Sequence, residues 1–407
     1  MGDVMPVLTA ARWIEKRAPK VLGPRRLRHG GPFSAATRLI ERREPLGHVA
    51  IIATWNYPIQ LLGIELLHAL AAGNRVTVKP SEHAPRSQEM LLSLFREAAV
   101  PGGDEGLRWV SATREAGAAL LREGRFDHVV FTGSTGVGRE IAQSLAPTLT
   151  PSTLELSGRD SALVLDDADA ELAASAIWQS VEINGGQTCM APRRALVHEK
   201  VYGAFVRHLA PRASASKPRR LVSEAAATLC HDLAVDAVRA GARSLSGIVE
   251  GPTSDATGRR RMLRPLALAD CPTEASVVEG RHFGPVLAVV RCADEESMLR
   301  VHAGVDQRLV TSVFSASRTR AEALAPRLGS GIVTHNDCVM PTVHPGCGLA
   351  GVGASGWGIT RGEEGLRSMT RAVYVTSTTS WMRFSMEKVT PGVERGMAWF
   401  LERWYGR

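Results

Sequence analysis

Nothing in the 407 residues is both long and apolar enough to span a bilayer. The most hydrophobic region, 49–72, is broken by Asn56, Pro58, Gln60, Glu65 and His68. The start of the chain, Met1-Gly2-Asp3-Val4-Met5-Pro6, lacks the apolar core of a signal peptide and the Ser/Thr of a myristoylation motif. Cysteine is sparse: Cys189, Cys230, Cys271, Cys292, Cys338 and Cys347 include no CxxC pair. That argues against a disulfide framework and a zinc knuckle, and fits a reducing cytoplasm. The net charge of +8 is carried mostly by arginine, but the arginines are scattered and form no basic stripe interleaved with aromatics. This argues against a nucleic-acid partner. No internal repeat or strongly biased tract is present. With 44% hydrophobic and 22% charged residues, the composition is that of a soluble globular chain, long enough for two or three domains.

What is present is an alternation of strand and helix patterns. Strands are predicted at 48–54, 75–78, 107–110 and 128–132, and helices at 58–72, 85–98, 115–122 and 136–145. After Glu155 the pattern resumes with strands at 162–165 and 194–197 and helices at 168–181 and 200–209. Such alternation predicts an α/β protein with a parallel sheet and helices on both faces, and ligands bind such sheets beyond the carboxyl ends of the strands. A short helix is predicted at 10–17 and a strand at 36–44. Between 212 and 262, one helical run at 224–242 separates segments read as surface loops. A strand-like run at 331–336 leads into a glycine-rich loop at 344–358, and the tail at 397–404 is amphipathic. That tail suits a partner subunit and is too short for a stable membrane anchor.

The informative stretches fall at strand ends. Cys189 lies in Asn184-Gly185-Gly186-Gln187-Thr188-Cys189-Met190-Ala191, after a helical run. A lone free cysteine is more often a small core hydrophobe, but in a polar, glycine-bearing turn it can act as a thiolate nucleophile. Glu155, in Thr153-Leu154-Glu155-Leu156-Ser157-Gly158, is either a paired strand acid or a general base. Thr54-Trp55-Asn56-Tyr57-Pro58 reads as a strand-to-helix turn, or as a source of an amide donor at Asn56 for an oxyanion. Lys79-Pro80-Ser81-Glu82 puts a cation and an acid where a dinucleotide ribose is held. Phe131-Thr132-Gly133-Ser134-Thr135-Gly136-Val137-Gly138 leaves a strand for a helix N-terminus, a setting for pyrophosphate. Its spacing is GxxGxG, so the usual GxGxxG fingerprint is not matched.

Together with Phe283-Gly284-Pro285-Val286, these stretches resemble the aldehyde dehydrogenases, nearest the class 3 branch that acts on fatty and aromatic aldehydes, over about residues 45–375. The resemblance implies an aldehyde dehydrogenase fold. Its parts would be a Rossmann-like cofactor domain at 1–155, with an oligomerisation hairpin at 34–46, an α/β catalytic domain at 156–360 and an oligomerisation segment and tail at 361–407. It implies a homodimer that oxidises a small-molecule aldehyde with NAD, NADP being the alternative, and no metal. Cys189 would be the nucleophile, Glu155 the base and Asn56 an oxyanion donor beside the Cys189 N–H. Thr54, Trp55, Lys79, Glu82, Gly133, Ser134, Gly138, Leu156 and Phe283 would bind the cofactor.

The chain also departs from the family. Ser157 replaces a glycine beside the nicotinamide position, and Arg281 stands where a glutamate would hold the nicotinamide ribose. Gly348-Leu349-Ala350-Gly351 replaces a Pro-Phe-Gly-Gly run, so Leu349 takes the place of a tunnel aromatic, and the family's first helices are expected to be missing. Two other functions therefore stay open: a degenerate relative serving as a binding subunit, and a thiol esterase.

Overall fold

The computed structural model describes residues 2–28, 37–98, 103–339, 343–378 and 390–406. The first residue of the predicted strand at 36–44, and residues 34–36 of the predicted hairpin, lie outside these.

Two sheets are built from the compact unit formed by Met1–Leu22 and Glu44–Arg371. The first has six strands in the order Gly356–Trp357, Ser152–Leu156, His128–Gly133, His48–Ile52, Arg75–Lys79, Leu107–Trp109. All of its pairings are parallel except that of Gly356–Trp357. The central strands carry the apolar runs Val49-Ala50-Ile51-Ile52 and Val129-Val130-Phe131 without polar alternation because both faces are covered. Helix Gln60–Ala71 covers one face with Leu62, Leu66 and Ala69, and helix Thr135–Leu145 covers the other with Ile141 and Leu145. The strand ends that carry Thr54, Lys79, Gly133 and Leu156 therefore emerge on one edge.

The second sheet has seven strands in the order Arg243–Ser244, Leu266–Ala269, Val286–Cys292, Arg194–His198, Ser161–Val164, Val310–Phe314, Ile332–His335. Only the Arg243–Ser244 edge is antiparallel. Helices Ala170–Glu182 and Glu199–Ser214 pack on it through Ile177, Trp178, Tyr202 and Phe205. Asp169 caps the first of these, accepting from the Glu171 and Leu172 N–H groups, so that helix starts later than the predicted 168.

Several readings are corrected. The helix predicted at 10–17 runs Met5–Leu22: a stripe of Val7, Ala10, Ile14 and Val21, hidden among basic residues, buries its face. The stretches around 212–262 read as loops include a small antiparallel sheet of Arg219–Arg220, Arg260–Leu263 and Thr253–Ser254, with Leu221 and Arg261 buried. The glycine-rich loop at 344–358 is partly sheet. Val352–Gly353 pairs with Gln307–Arg308, and Gly356–Trp357 closes the edge beside Ser152–Leu156.

The second compact unit, Gly23–Arg43 with Ala372–Arg407, carries a three-stranded sheet in the order Arg25–Leu27, Thr37–Pro45, Thr370–Thr378. The predicted amphipathic tail lies within its helix Pro391–Tyr405, where Trp399, Leu401 and Trp404 are exposed. No helix among the described residues is long and apolar enough to cross a membrane.

Candidate active site

The cysteine loop owes its shape to three successive residues with left-handed backbones: Asn184 at φ 51°, Gly185 at 62° and Gly186 at 70°. Glycine adopts this region at no steric cost, and asparagine tolerates it better than most residues. At Gly186 there is also no room for more: a Cβ would lie 2.5 Å from the backbone carbon of Gly284. The chain thus turns sharply out of helix Ala170–Glu182 and runs against the Phe283-Gly284 segment.

Arg193 secures this contact from within the protein. Its buried guanidinium donates to the carbonyls of Gly186 (2.7 Å) and Thr188 (2.8 Å) and lies 5.2 Å over the Phe283 ring. Gln187 braces the loop further, donating to Asn184 O and accepting from the Val222 N–H.

Asn56 meets the loop directly. Its Nδ2 donates to Gln187 O at 3.1 Å, and Asn184 Nδ2 donates to Asn56 O at 2.7 Å. Tyr57 and Thr188 share a hydroxyl contact of 2.7 Å next door.

Glu155 is buried on its strand, in register with Thr132 on one side and Gly356 on the other. The Thr360 hydroxyl donates to its carboxylate. Thr360 is held by paired backbone bonds to Leu349 (2.7 and 2.9 Å). Burial raises Glu155 to about 7, against the opposing charge of the buried Arg361. Arg361 sits at φ 63°, ψ 166°, a backbone region that costs a side-chain-bearing residue about 1–3 kcal/mol. The Arg361 charge lowers Glu155, Glu65 and Cys189 alike.

Cys189 is half-buried and packs beside Met190, Leu309, Val310 and Leu349. Burial, aided by the Glu155 charge, pushes its thiol up to about 12. At neutral pH a sulfur so placed is the thiol rather than the thiolate.

A cavity of about 1320 Å³ opens along the strand ends of the first sheet, and Thr54, Trp55, Lys79, Glu82, Gly133 and Ser134 line it. Lys79 Nζ and Arg114 Nε hold Glu82 at 2.9 and 3.0 Å. Burial works against ionisation of Glu82, but these two cations outweigh it and hold the carboxyl down at about 2. The remaining three expected cofactor residues lie outside this lining. Gly138 backs onto Leu156, where a Cβ would come within 2.5 Å of the leucine side chain, and Phe283 meets the Trp55 ring edge-on at 5.8 Å.

The departures from the family pattern are placed as follows. Arg281 is exposed and ion-paired with Glu279. The Ser157 carbonyl accepts from Gln307 Nε2 and Ser355 Oγ. Leu349 is buried behind Met190.

Sequence reasoning passed over Arg193, Thr360, Arg361 and Glu65 as site residues. Glu65 registered only as an interruption of an apolar run, and that interruption was the available signal. No group of three or more His, Cys, Asp or Glu side chains suited to a metal occurs among the described residues.

Residues 1–375 match the profile of the family described as the aldehyde dehydrogenase family. A 4,4'-diapolycopene aldehyde oxidase of Methylomonas sp is 34% identical over 370 residues, covering 90% of this chain and 68% of that protein. Vanillin dehydrogenase of Pseudomonas fluorescens is 34% identical over 352 residues, covering 82% and 70%. The solved structure of a Mycobacterium tuberculosis aldehyde dehydrogenase complexed with NAD+ superimposes with a TM-score of 0.82 at 27% identity, covering 91% of this chain and 76% of that one.

Proposed function

The chain belongs to the aldehyde dehydrogenase family, and on that premise we propose that it oxidises an aldehyde to its carboxylic acid through a thioester on Cys189, using NAD or NADP. The observation that carries this reading is the contact of the Asn56 amide with the Cys189 loop, with Glu155 close enough for its charge to act on the thiol.

The chemistry follows from these groups. Cys189 Sγ adds to the aldehyde carbon as its proton leaves to a carboxylate base. An amide nitrogen has two N–H groups. Asn56 commits one to Gln187 O, which leaves the other for the oxygen that becomes negative. The Cys189 N–H is the second donor. Once the thioester exists, Glu155 takes a proton from water, the water oxygen bonds to the acyl carbon, and the carbon–sulfur bond breaks. With Glu155 raised to about 7 by burial, it is poised to gain and lose a proton near neutrality.

The cofactor cavity fits a dinucleotide. Lys79 and Glu82 would hold the adenosine ribose and the Gly133-Ser134 turn the pyrophosphate, at the start of helix Thr135–Leu145. A Cβ at Gly136 would meet nothing within 4 Å, so the first turn of that helix is open to a ligand. Bound there, the dinucleotide supplies the hydride acceptor that the oxidation requires. Glu82 is a carboxylate throughout the neutral range and disfavours a 2′-phosphate, which makes NAD the preferred form. Lys79 and Arg114 offset part of that charge, which keeps NADP as the alternative.

Two relatives are named for a carotenoid aldehyde and an aromatic one. With the apolar group of Met190, Leu309, Val310 and Leu349 beside Cys189, this favours an apolar aldehyde, and a medium-chain aliphatic or aromatic one is the class the family resemblance implies. A homodimer is the assembly this reading carries.

Absorbance at the reduced-nicotinamide band, followed over an aldehyde panel with an ester substrate alongside, tests the reading. Aldehyde-dependent reduction of NAD or NADP is the expected result. Ester hydrolysis without it would favour a thiol esterase, and neither activity would favour a binding subunit.

A further inference from the structure

Glu65 takes no part in the steps above, yet it is buried in the same polar cluster. It sits on helix Gln60–Ala71, whose other buried positions are mostly apolar. An isolated carboxyl on such a face is costly unless it is neutral or hydrogen-bonded. Its partner is Thr132, whose Oγ1 donates to Glu65 Oε1 at 2.9 Å. Thr132 also stands in register with Glu155 on the neighbouring parallel strand, so the two side chains leave the same face of the sheet side by side, and the Thr132 hydroxyl lowers Glu155 as well.

A hydroxyl has one proton to give. When Thr132 gives it to Glu65, its contact with Glu155 is satisfied by a proton on Glu155. When Thr132 turns to Glu155, Glu65 must hold the proton. This arrangement places Thr132 where it can link the two carboxyls.

The surrounding charges support this. The charge of Arg361 acts on both carboxyls, and a single guanidinium balances one carboxylate rather than two. Thr360 donates to Glu155, and the Cys189 thiol, which also feels the Glu155 charge, is pushed up by burial. His68, one turn along from Glu65, is held neutral by burial, and its Nε2 has no partner within the described residues. Burial, with the Glu155 charge added, raises Glu65 to about 8, close to Glu155 itself. Burial thus acts in the same direction on both carboxyls, and neither is by far the stronger acid.

Resting on the reading above, we propose that Glu65 is a positioning residue for hydrolysis: through Thr132 it receives the proton that Glu155 takes from the attacking water. The step balances. A water O–H bond breaks and its proton goes to Glu155, while the oxygen bonds to the acyl carbon. Glu155 then passes a proton to Thr132 as Thr132 gives its own to Glu65. The carbon–sulfur bond breaks with its electron pair staying on sulfur. Glu155 is thereby a carboxylate again while the product is still in place. The path is open once Glu65 has lost its proton.

The test is the rate of acyl-enzyme hydrolysis between pH 6 and 10 in the parent, Glu65→Gln and Thr132→Val. The glutamine keeps an acceptor for Thr132 but cannot take up a proton, and the valine keeps the shape but removes the link. The parent rate should rise in two steps, near 7 and near 8. Both variants should keep the first step and lose the second, leaving them at least about threefold slower at pH 9. An unchanged two-step profile in Glu65→Gln overturns the proposal. Infrared difference titration of the unreacted protein decides the matter independently of turnover. A protonated carboxyl lost near pH 8 in the parent and absent from Glu65→Gln supports the assignment, and a band that persists in the variant overturns it. A protein that forms no acyl-enzyme refutes the dehydrogenase reading, while the infrared result still stands for or against Glu65.

Discussion

The hydroxyl of Thr360 donates a hydrogen bond to the buried carboxylate of Glu155, joining residues 205 positions apart in sequence. Thr360 is set by its two backbone bonds to Leu349, and Leu349 packs beside Met190 and Cys189. One short segment thus braces both the candidate base and the wall behind the candidate nucleophile.

Thr360→Val removes that donor at nearly constant volume. A hydrogen bond to the charged form favours ionisation, so its loss should raise Glu155 further. Burial already places Glu155 at about 7. The acid limb of the pH–rate profile should move upward by about half a unit or more, with turnover above the limb little changed. An unmoved limb would mean that the hydroxyl contributes nothing to the carboxylate.

Glu155→Gln should still acylate but turn over slower by about two orders of magnitude or more, the usual contribution of a positioned general base. The acyl-enzyme should accumulate and be visible by intact mass. Turnover at the parent rate would reduce Glu155 to a structural acid.

Adduct formation should be confined to Cys189. Cys230, Cys271, Cys292 and Cys338 are buried, so Cys347, which is half-buried and also within the field of Arg361, is the informative control. Peptide mass spectrometry after treatment with a reactive ester should find the acyl group on Cys189 alone. Equal labelling of Cys347 would remove the basis for assigning the nucleophile.

Gly186→Ala should damage the cysteine loop without touching the cavity along the strand ends of the first sheet. The new Cβ would demand φ 70° and sit 2.5 Å from Gly284 backbone. The left-handed conformation alone costs about 1–2 kcal/mol, and relieving the clash shifts the loop. Acylation should fall at least about tenfold, the effect of about 1.4 kcal/mol in the barrier, while NAD affinity, measured by calorimetry, stays close to the parent value.

Glu82→Gln should change cofactor choice. The carboxylate is held at about 2 by Lys79 and Arg114, so it is charged at every pH where the protein would be assayed. Neutralising it removes repulsion of a 2′-phosphate and frees both cations to meet one. The ratio of kcat/KM for NADP to that for NAD should rise at least about tenfold, or about 1.4 kcal/mol. An unchanged ratio would show that Glu82 does not face that end of the cofactor.

The sequence by itself determined the strand–helix alternation, because a strand buried on both faces must be an unbroken apolar run, as in 49–52, and a surface helix must carry an apolar stripe. It also singled out Asn56, Cys189 and Gly133, since each stands in a short local motif at the junction of a strand or helix with a turn. It did not disclose the segment 352–357 as sheet, because glycine-rich stretches have no periodicity and their pairing is decided by the edge they meet. Nor did it disclose Arg193, Arg361, Thr360 or Glu65. A buried charge takes its meaning from what surrounds it, and those partners are distant in the chain: Glu65 meets Thr132 across 67 positions, and Arg193 reaches Gly284 across 91. Local pattern decides which elements form and where their ends lie. Only the closing of the sheets decides which side chains surround a buried acid, and its acidity depends on that desolvation and on charges a few ångströms away.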